Sequence, residues 1–158
     1  MGPEPDVGRG AACSEYVVSG VPKLSRVLET CLYVDDLERA SRFYEDVLEL
    51  PRIAGDESRF RGYDVGGLSV LLLFLRGGTL EPVELPGGVI PPHDGSGPQH
   101  FAFAVEAAEL PAWERRLSER GIALEGDVKW PRGGRSIYFR DPDAHVIELA
   151  TPGLWTTY

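Results

Sequence analysis

Three residues able to hold a metal or move a proton stand in unusual company. Glu148 lies inside Val-Ile-Glu-Leu-Ala, where a half-buried strand ordinarily turns an apolar or small side chain inward. A buried carboxylate is costly unless it is paired, hydrogen-bonded or bound to a metal. His100 opens the equally apolar run His-Phe-Ala-Phe-Ala-Val, and Glu29 opens Glu-Thr-Cys-Leu-Tyr-Val. Singly, each has a plain explanation: a strand-end Glu is ordinarily solvated, and a His among apolar residues is ordinarily a satisfied core histidine. Together, one imidazole and two carboxylates suit a divalent ion such as Mn, Fe, Ni, Zn or Mg, with coordination positions left open for substrate. The donor set does not choose among these metals.

The elements that must position these groups follow from periodicity. Val27 to Val34 reads as a strand, and alternation puts Glu29, Cys31 and Tyr33 on one face and Leu28, Thr30, Leu32 and Val34 on the other. A helix is expected next, with Asp35 as N-cap and Glu38 completing a capping box. Its apolar side carries Leu37, Ala40, Tyr44, Val47 and Leu48. Arg59 to Val65 and Leu68 to Leu75 are expected strands joined at Gly66-Gly67. Gln99 to Val105 repeats the opening strand, with His100, Ala102 and Ala104 on one face. A second helix carries Leu110, Trp113 and Leu117 and stops at Gly121. Ile122 to Trp130 reads as a weak strand. Ser136 to Arg140 and His145 to Ala150 read as a hairpin closed by Asp141-Pro142-Asp143-Ala144.

The order is strand, helix, strands, written twice. Laying Val34 on Val105 places Glu29 on His100. Laying Val70 to Leu73 on Val146 to Leu149 places Leu72 on Glu148. The reading is an α+β chain of two βαβββ modules, residues 26–75 and 99–151, within a single domain spanning 26–158. If the repeats form a curved sheet, Glu29, His100 and Glu148 converge inside the curve. Residues 1–25 read as a flexible tail, and the Gly- and Pro-rich stretch 76–98 as a connecting loop containing His93.

The closing motif GGRSIYFRDPDAHVIELATP, with its DPD turn leading to a strand Glu, resembles the glyoxalase/bleomycin-resistance/extradiol-dioxygenase superfamily, the vicinal oxygen chelate (VOC) fold. VLETCLYVDDLERASRFYEDVLEL is similar to its opening strand and helix, and GPQHFAFAV to the opening of its second module. The resemblance implies a cup of curved mixed sheet with helices outside, and metal ligands at His100, Glu148 and, where the family usually has His, Glu29. Leu72 takes the fourth position and cannot ligate, so the four-ligand glyoxalase I pattern is broken. What remains is similar to three-ligand members such as fosfomycin-resistance enzymes and extradiol dioxygenases. Glu148 and Glu29 are then the candidate catalytic residues, one of them able to act as a base.

Tyr138 falls where the family points a side chain into the cup, and a packed core tyrosine is the alternative. Ser136 and Arg140 share its face; Tyr33 and Cys31 share that of Glu29. All five are candidate substrate-binding residues. Cys31 reads as a lining residue rather than a nucleophile, because no base is near it in sequence. His93 reads as a solvated loop histidine within reach of the cup, His145 as a turn residue, and Arg135 and Lys129 as surface charges able to meet an anionic substrate. Trp130 and Trp155 could wall a pocket or form a dimer contact, and with Tyr158 they are compatible with an aromatic drug-binding cleft.

The implied function is a metal-dependent lyase, isomerase or dioxygenase acting on a small oxygen-rich molecule. The alternative is a metal-free drug-binding protein of the bleomycin-resistance type. The resemblance also implies a homodimer, often with each cup shared between chains. Among 158 residues, 25 are acidic and 16 are Lys or Arg, a net charge of -9, which argues against nucleic acid and anionic membranes as partners. No apolar run reaches spanning length, no secretion signal is evident, and Cys13 and Cys31 are not placed to pair. A cytoplasmic location is expected.

Overall fold

The computed structural model describes residues 22–157; Cys13, Tyr158 and most of the expected tail lie outside them. Two units of the same topology follow one another. In the first, β1 (Glu29–Val34), α1 (Leu37–Arg42), β2 (Arg52–Gly55), β3 (Phe60–Val65) and β4 (Ser69–Leu75) form a sheet of order β1-β4-β3-β2. After an intervening hairpin, β5 (Val83–Leu85) and β6 (Gly88–Ile90), the second unit follows. There β7 (His100–Ala104), α2 (Leu110–Glu119), β8 (Gly126–Lys129), β9 (Arg135–Arg140) and β10 (Val146–Ala150) form a sheet of order β7-β10-β9-β8. In each sheet the first and last strands run parallel, and the other pairs are antiparallel.

The strand register upholds the repeat. Cys31 pairs with Leu72 in the first sheet, and Ala102 pairs with Glu148 in the second. Counting back two residues along β1 and β7 puts Glu29 opposite His100 in the repeat. Alternation sorts the faces as expected: Leu32, Val34, Leu71, Leu73, Ile137, Phe139, Ile147 and Leu149 enter one shared core with Leu37, Ala40 and Leu117 from the helices. The opposite faces carry Cys31, Tyr33, Leu72, Tyr138 and Glu148.

The local structure departs from expectation in four places. The N-cap of α1 is Asp36, not Asp35: its extended backbone lets Oδ1 accept from Arg39 N–H at 2.9 Å. Asp35 pairs instead with Arg76, and Glu38 with the fully buried Arg61 at 2.8 Å. The helix then widens into a π-turn over Phe43–Val47, which swings Phe43 to within 6.4 Å of the Phe139 ring in the other module. The 76–98 connector holds the β5–β6 hairpin; its strands of three residues are too short to show a period. β2 is likewise short and fully exposed, which hides its alternation. The Gly66-Gly67 turn forms as expected, both residues having φ above +60°.

In the second hairpin Ala144 takes the left-handed conformation, with φ of 64°. A Cβ is disfavoured there by roughly 1–2 kcal/mol. Replacement by Gly relieves that strain against the greater flexibility of an unfolded Gly. Ala144→Gly is expected to stabilise the fold by about 0.5 kcal/mol, read as a raised urea midpoint at unchanged slope; a lowered midpoint would remove the strain argument.

Candidate functional site

β10 places Glu148 between core residues Ile147 and Leu149, its side chain on the opposite face and only 5% exposed. β7 places His100 beside it across the parallel pair, and Nε2 comes within 3.3 Å of Glu148 Oε2. The other ring nitrogen lies 3.1 Å from the Val146 carbonyl. A carbonyl only accepts, so Nδ1 is the protonated nitrogen and a neutral His100 turns the bare lone pair of Nε2 toward the carboxylate. Two lone pairs facing one another at that distance call for a cation or a proton between them. Glu148 Oε1 is buried with no hydrogen-bond partner, a second unmet demand on the same carboxylate. The donor set therefore fits a divalent cation: one imidazole nitrogen already oriented by a backbone carbonyl, and one carboxylate with both oxygens available.

Tyr138 pairs with Glu148 across β9–β10 and lies 6.2 Å, ring to ring, from His100. Burial, and next the Glu148 carboxylate beside it, push its hydroxyl above the ordinary phenol value. Tyr138 packs against His100 and Glu148 on the face opposite the core. Ser136 is fully buried and accepts from the Trp130 indole N–H at 2.8 Å, so Trp130 packs onto the sheet. Trp155 is exposed. Arg140 donates to Glu125 at 2.9 Å and to the Ala144 carbonyl, which holds its guanidinium to the turn.

Glu29 stands elsewhere. Among the described residues no group of three His, Cys, Asp or Glu side chains is close enough to hold a metal ion. Glu29 lines a cavity of about 500 Å³ on the first sheet, with Cys31, Tyr33, Leu72 and Phe74. The surroundings of two histidines escaped the sequence, the first of them in this cavity. His93 is half-buried rather than solvated: the connector folds back so that its Nδ1 lies 2.6 Å from the Tyr33 hydroxyl, with its ring edge-on to Phe74. Burial, and next the adjacent Cys31 thiol, push the Tyr33 phenol up to about 12. Only the isolated His in a long loop signalled this.

The second omission is His145. It closes the turn before β10, as expected, and is fully buried. Its Nδ1 accepts from Gln99 N–H at 2.9 Å, which leaves Nε2 to donate to the Tyr33 carbonyl at 3.0 Å. Asp141 anchors the same turn, accepting from His145 N–H at 2.8 Å and from the Tyr44 hydroxyl at 2.8 Å. The turn thus fastens the ends of β1 and β7 together. Arg135 is held by Asp127 and Glu114 at 2.7 and 2.6 Å, which leaves little of its charge for an anionic substrate.

The chain belongs to one superfamily: residues 25–149 match the Glyoxalase/Bleomycin resistance protein/Dioxygenase superfamily. The chain is 30% identical over 119 residues to a metallothiol transferase FosB of Staphylococcus saprophyticus, covering 75% of this chain and 71% of that protein. It is 31% identical over 124 residues to the fosfomycin resistance protein FosX of Mesorhizobium japonicum, covering 75% and 79%. Among solved structures it is similar to a lactoylglutathione lyase of Agrobacterium tumefaciens, with 32% identity, a TM-score of 0.77, and coverage of 85% of this chain and 99% of that one. No helix among the described residues is long and apolar enough to cross a membrane.

Proposed function

We propose that this protein is a metal-dependent enzyme of the superfamily acting on a small oxygen-rich molecule, with His100 and Glu148 of one chain and Glu29 of a second copy as the metal ligands. The observation that carries the reading is the Glu148 carboxylate, buried with one oxygen unpartnered and the other 3.3 Å from His100 Nε2. A bound divalent ion supplies Lewis acidity at a substrate oxygen.

The chain's own groups do the rest. His100 is fixed in tautomer by the Val146 carbonyl and presents Nε2 without reorganisation. Glu148 lies too deep to swing into solvent, so it is a ligand first. Glu29, exposed at the start of β1, is the more accessible of the two carboxylates. Tyr138 keeps its proton at neutral pH and offers it as a hydrogen bond toward the substrate side of Glu148. Tyr33 and Cys31 line the first-module side of the shared cup with Glu29.

A second copy enters the reading for a specific reason. His100, Ala102 and Ala104 are all exposed on the face beside Glu148, while Glu29 lines a different cavity of the same chain. A two-fold dimer that lays one copy's first sheet against the other's second brings the two halves together. The similarity to a protein named metallothiol transferase supports the enzyme reading, and the similarity to a protein named for fosfomycin resistance supports a small-molecule ligand.

Complementation tests the shared site. Glu29→Ala and Glu148→Ala chains are each expected to lose stoichiometric Mn. Refolded together, they should recover about a quarter of the parent's sites, because half the dimers are mixed and each of those keeps one intact site. No recovery on mixing would place the site within one chain. A parent that takes up no Mn, Fe, Ni or Zn would overturn the enzyme reading in favour of a metal-free binding protein, for which the aromatic wall of the first-module cavity provides a surface.

A further inference from the structure

The two modules meet where β1 ends and β7 begins, and one side chain joins them. His145 is fully buried there. Its Nδ1 accepts from the Gln99 N–H at 2.9 Å, and its Nε2 donates to the Tyr33 carbonyl at 3.0 Å. The Gln99 side chain adds a third bond, its Oε1 accepting from the Tyr33 N–H at 3.2 Å. The roles at the ring are forced. A backbone N–H only donates and a carbonyl only accepts, so the imidazole is neutral and carries its proton on Nε2. An imidazolium carries a proton on each nitrogen. In this arrangement its Nδ1–H would face the Gln99 N–H, donor against donor, and a buried donor without an acceptor is costly.

We propose that His145 is an acid-sensitive latch between the modules: the neutral ring holds the start of β7 to the end of β1, and uptake of a second proton expels the Gln99 N–H and releases the two strands from one another. The open latch binds one more proton than the closed one. Closing is therefore complete on the alkaline side of the range in which imidazoles titrate, and it weakens as the pH falls through that range. The latch does not rest on the metal reading, since none of its bonds involves Glu29, His100 or Glu148 side chains.

The charged groups around the ring do not remove the conflict at Nδ1. On the same turn, Asp141 Oδ1 already accepts from the His145 and Asp143 N–H groups, and its Oδ2 accepts from the Tyr44 hydroxyl of the first-module helix. Burial above all holds the Asp141 carboxyl above the usual carboxylate range. Asp143 pairs with Arg39 of α1 at 2.8 Å. From the end of β4, Arg76 donates to the same Tyr33 carbonyl at 3.1 Å, a positive charge on the Nε2 side, and pairs with Asp35. On β7 Gln99 is uncharged, and the exposed His100 ring is turned to Glu148. The Tyr33 phenol is turned to His93.

Amide hydrogen exchange on the full chain in EDTA reads the latch at Gln99, each rate being divided by that of an unstructured peptide at the same pH. Between pH 7.5 and pH 5.5 the protection of the Gln99 amide is expected to fall about tenfold. It is expected to stay below that of Ile147 in β10 at both values, because the latch opens without unfolding the core. His145→Asn keeps a neutral acceptor for Gln99 at every pH, and its Gln99 protection is expected to change by less than about threefold over the same span. His93→Gln, on the far side of Tyr33, is expected to keep the fall of the parent.

Unchanged protection in the parent overturns the latch and needs no variant to do so. Equal protection at Gln99 and Ile147 means that only global unfolding frees Gln99, and it overturns the latch as well. A fall in His145→Asn as large as that of the parent, or its loss in His93→Gln, assigns the proton to another group, with the same result.

Discussion

Removing the Glu148 carboxylate is expected to abolish tight metal binding. Glu148→Gln keeps the volume and one acceptor oxygen but loses the charge, and exposed His100 Nε2 with a neutral side chain at 148 can no longer chelate a divalent ion. Disturbing even the groups that orient a ligand costs 10–100-fold in metal affinity, so loss of the ligand itself is expected to cost at least about 100-fold in Mn or Zn affinity. Titration calorimetry measures it, and affinity within threefold of the parent would remove Glu148 from the site. His100→Ala is expected to match that loss, because the two groups share one ion.

The same substitution has an opposite effect on the metal-free fold. The parent buries a carboxylate that is 5% exposed and has one oxygen unpartnered. Neutralising it removes a desolvation cost. Glu148→Gln is therefore expected to raise the urea midpoint in EDTA while it destroys metal binding. A buried group that weakens the empty fold and tightens only on loading is built for a ligand. A substitution that lowered both would mark Glu148 as a structural residue.

The second large effect is at His145. Truncation to Ala leaves a cavity at a fully buried position, and it strands the Gln99 N–H and the Tyr33 carbonyl. The cavity costs about 2–5 kcal/mol in comparable large-to-small changes, and each stranded polar group about 1–3 kcal/mol; these overlap, and a loss of about 4 kcal/mol is expected. His145→Asn should lose less, because its Oδ1 can still accept from Gln99. Denaturant unfolding at pH 7.5 reads both, and a loss under 1 kcal/mol for His145→Ala would show that the turn is not what fastens the two modules. Gln99 precedes His100 and Tyr33 belongs to β1, so a folded His145→Asn chain also reports whether this clasp keeps the site in register.

Much of the fold was legible because its signals are local. The alternation of Leu32 and Val34 against Cys31 and Tyr33 follows from the two-residue period of a strand, and the structure keeps that sorting. The repeat was legible for the same reason, since two similar faces imply two similar strands. The register that pairs Cys31 with Leu72 and Ala102 with Glu148 matches the sequence alignment residue for residue. What failed locally had weak signals. Asp35 and Asp36 are adjacent and equally able to cap a helix, and only the backbone entry angle chose Asp36. β5 and β6 are three residues each, below the length at which a period shows.

The site was legible in part. A carboxylate inside Val-Ile-Glu-Leu-Ala announces itself, because its burial needs a reason, and His100 follows from the parallel position in the repeat. The roles of His93 and His145 were not legible, since nothing near either residue in the chain names its partner. His93 finds Tyr33 across 60 positions, and His145 finds it across 112.

By itself, then, the sequence determined the two modules, their faces, and Glu148 with His100 as the pair most in need of explanation. The tertiary structure decided which distant groups meet. It set His93 over Tyr33 and Cys31, made His145 a clasp, and held Glu29 apart from His100 and Glu148 within one chain. The physical reason is range. Side-chain periodicity is a property of neighbouring residues, whereas contacts between remote segments depend on how two sheets pack and where the connector closes back upon them.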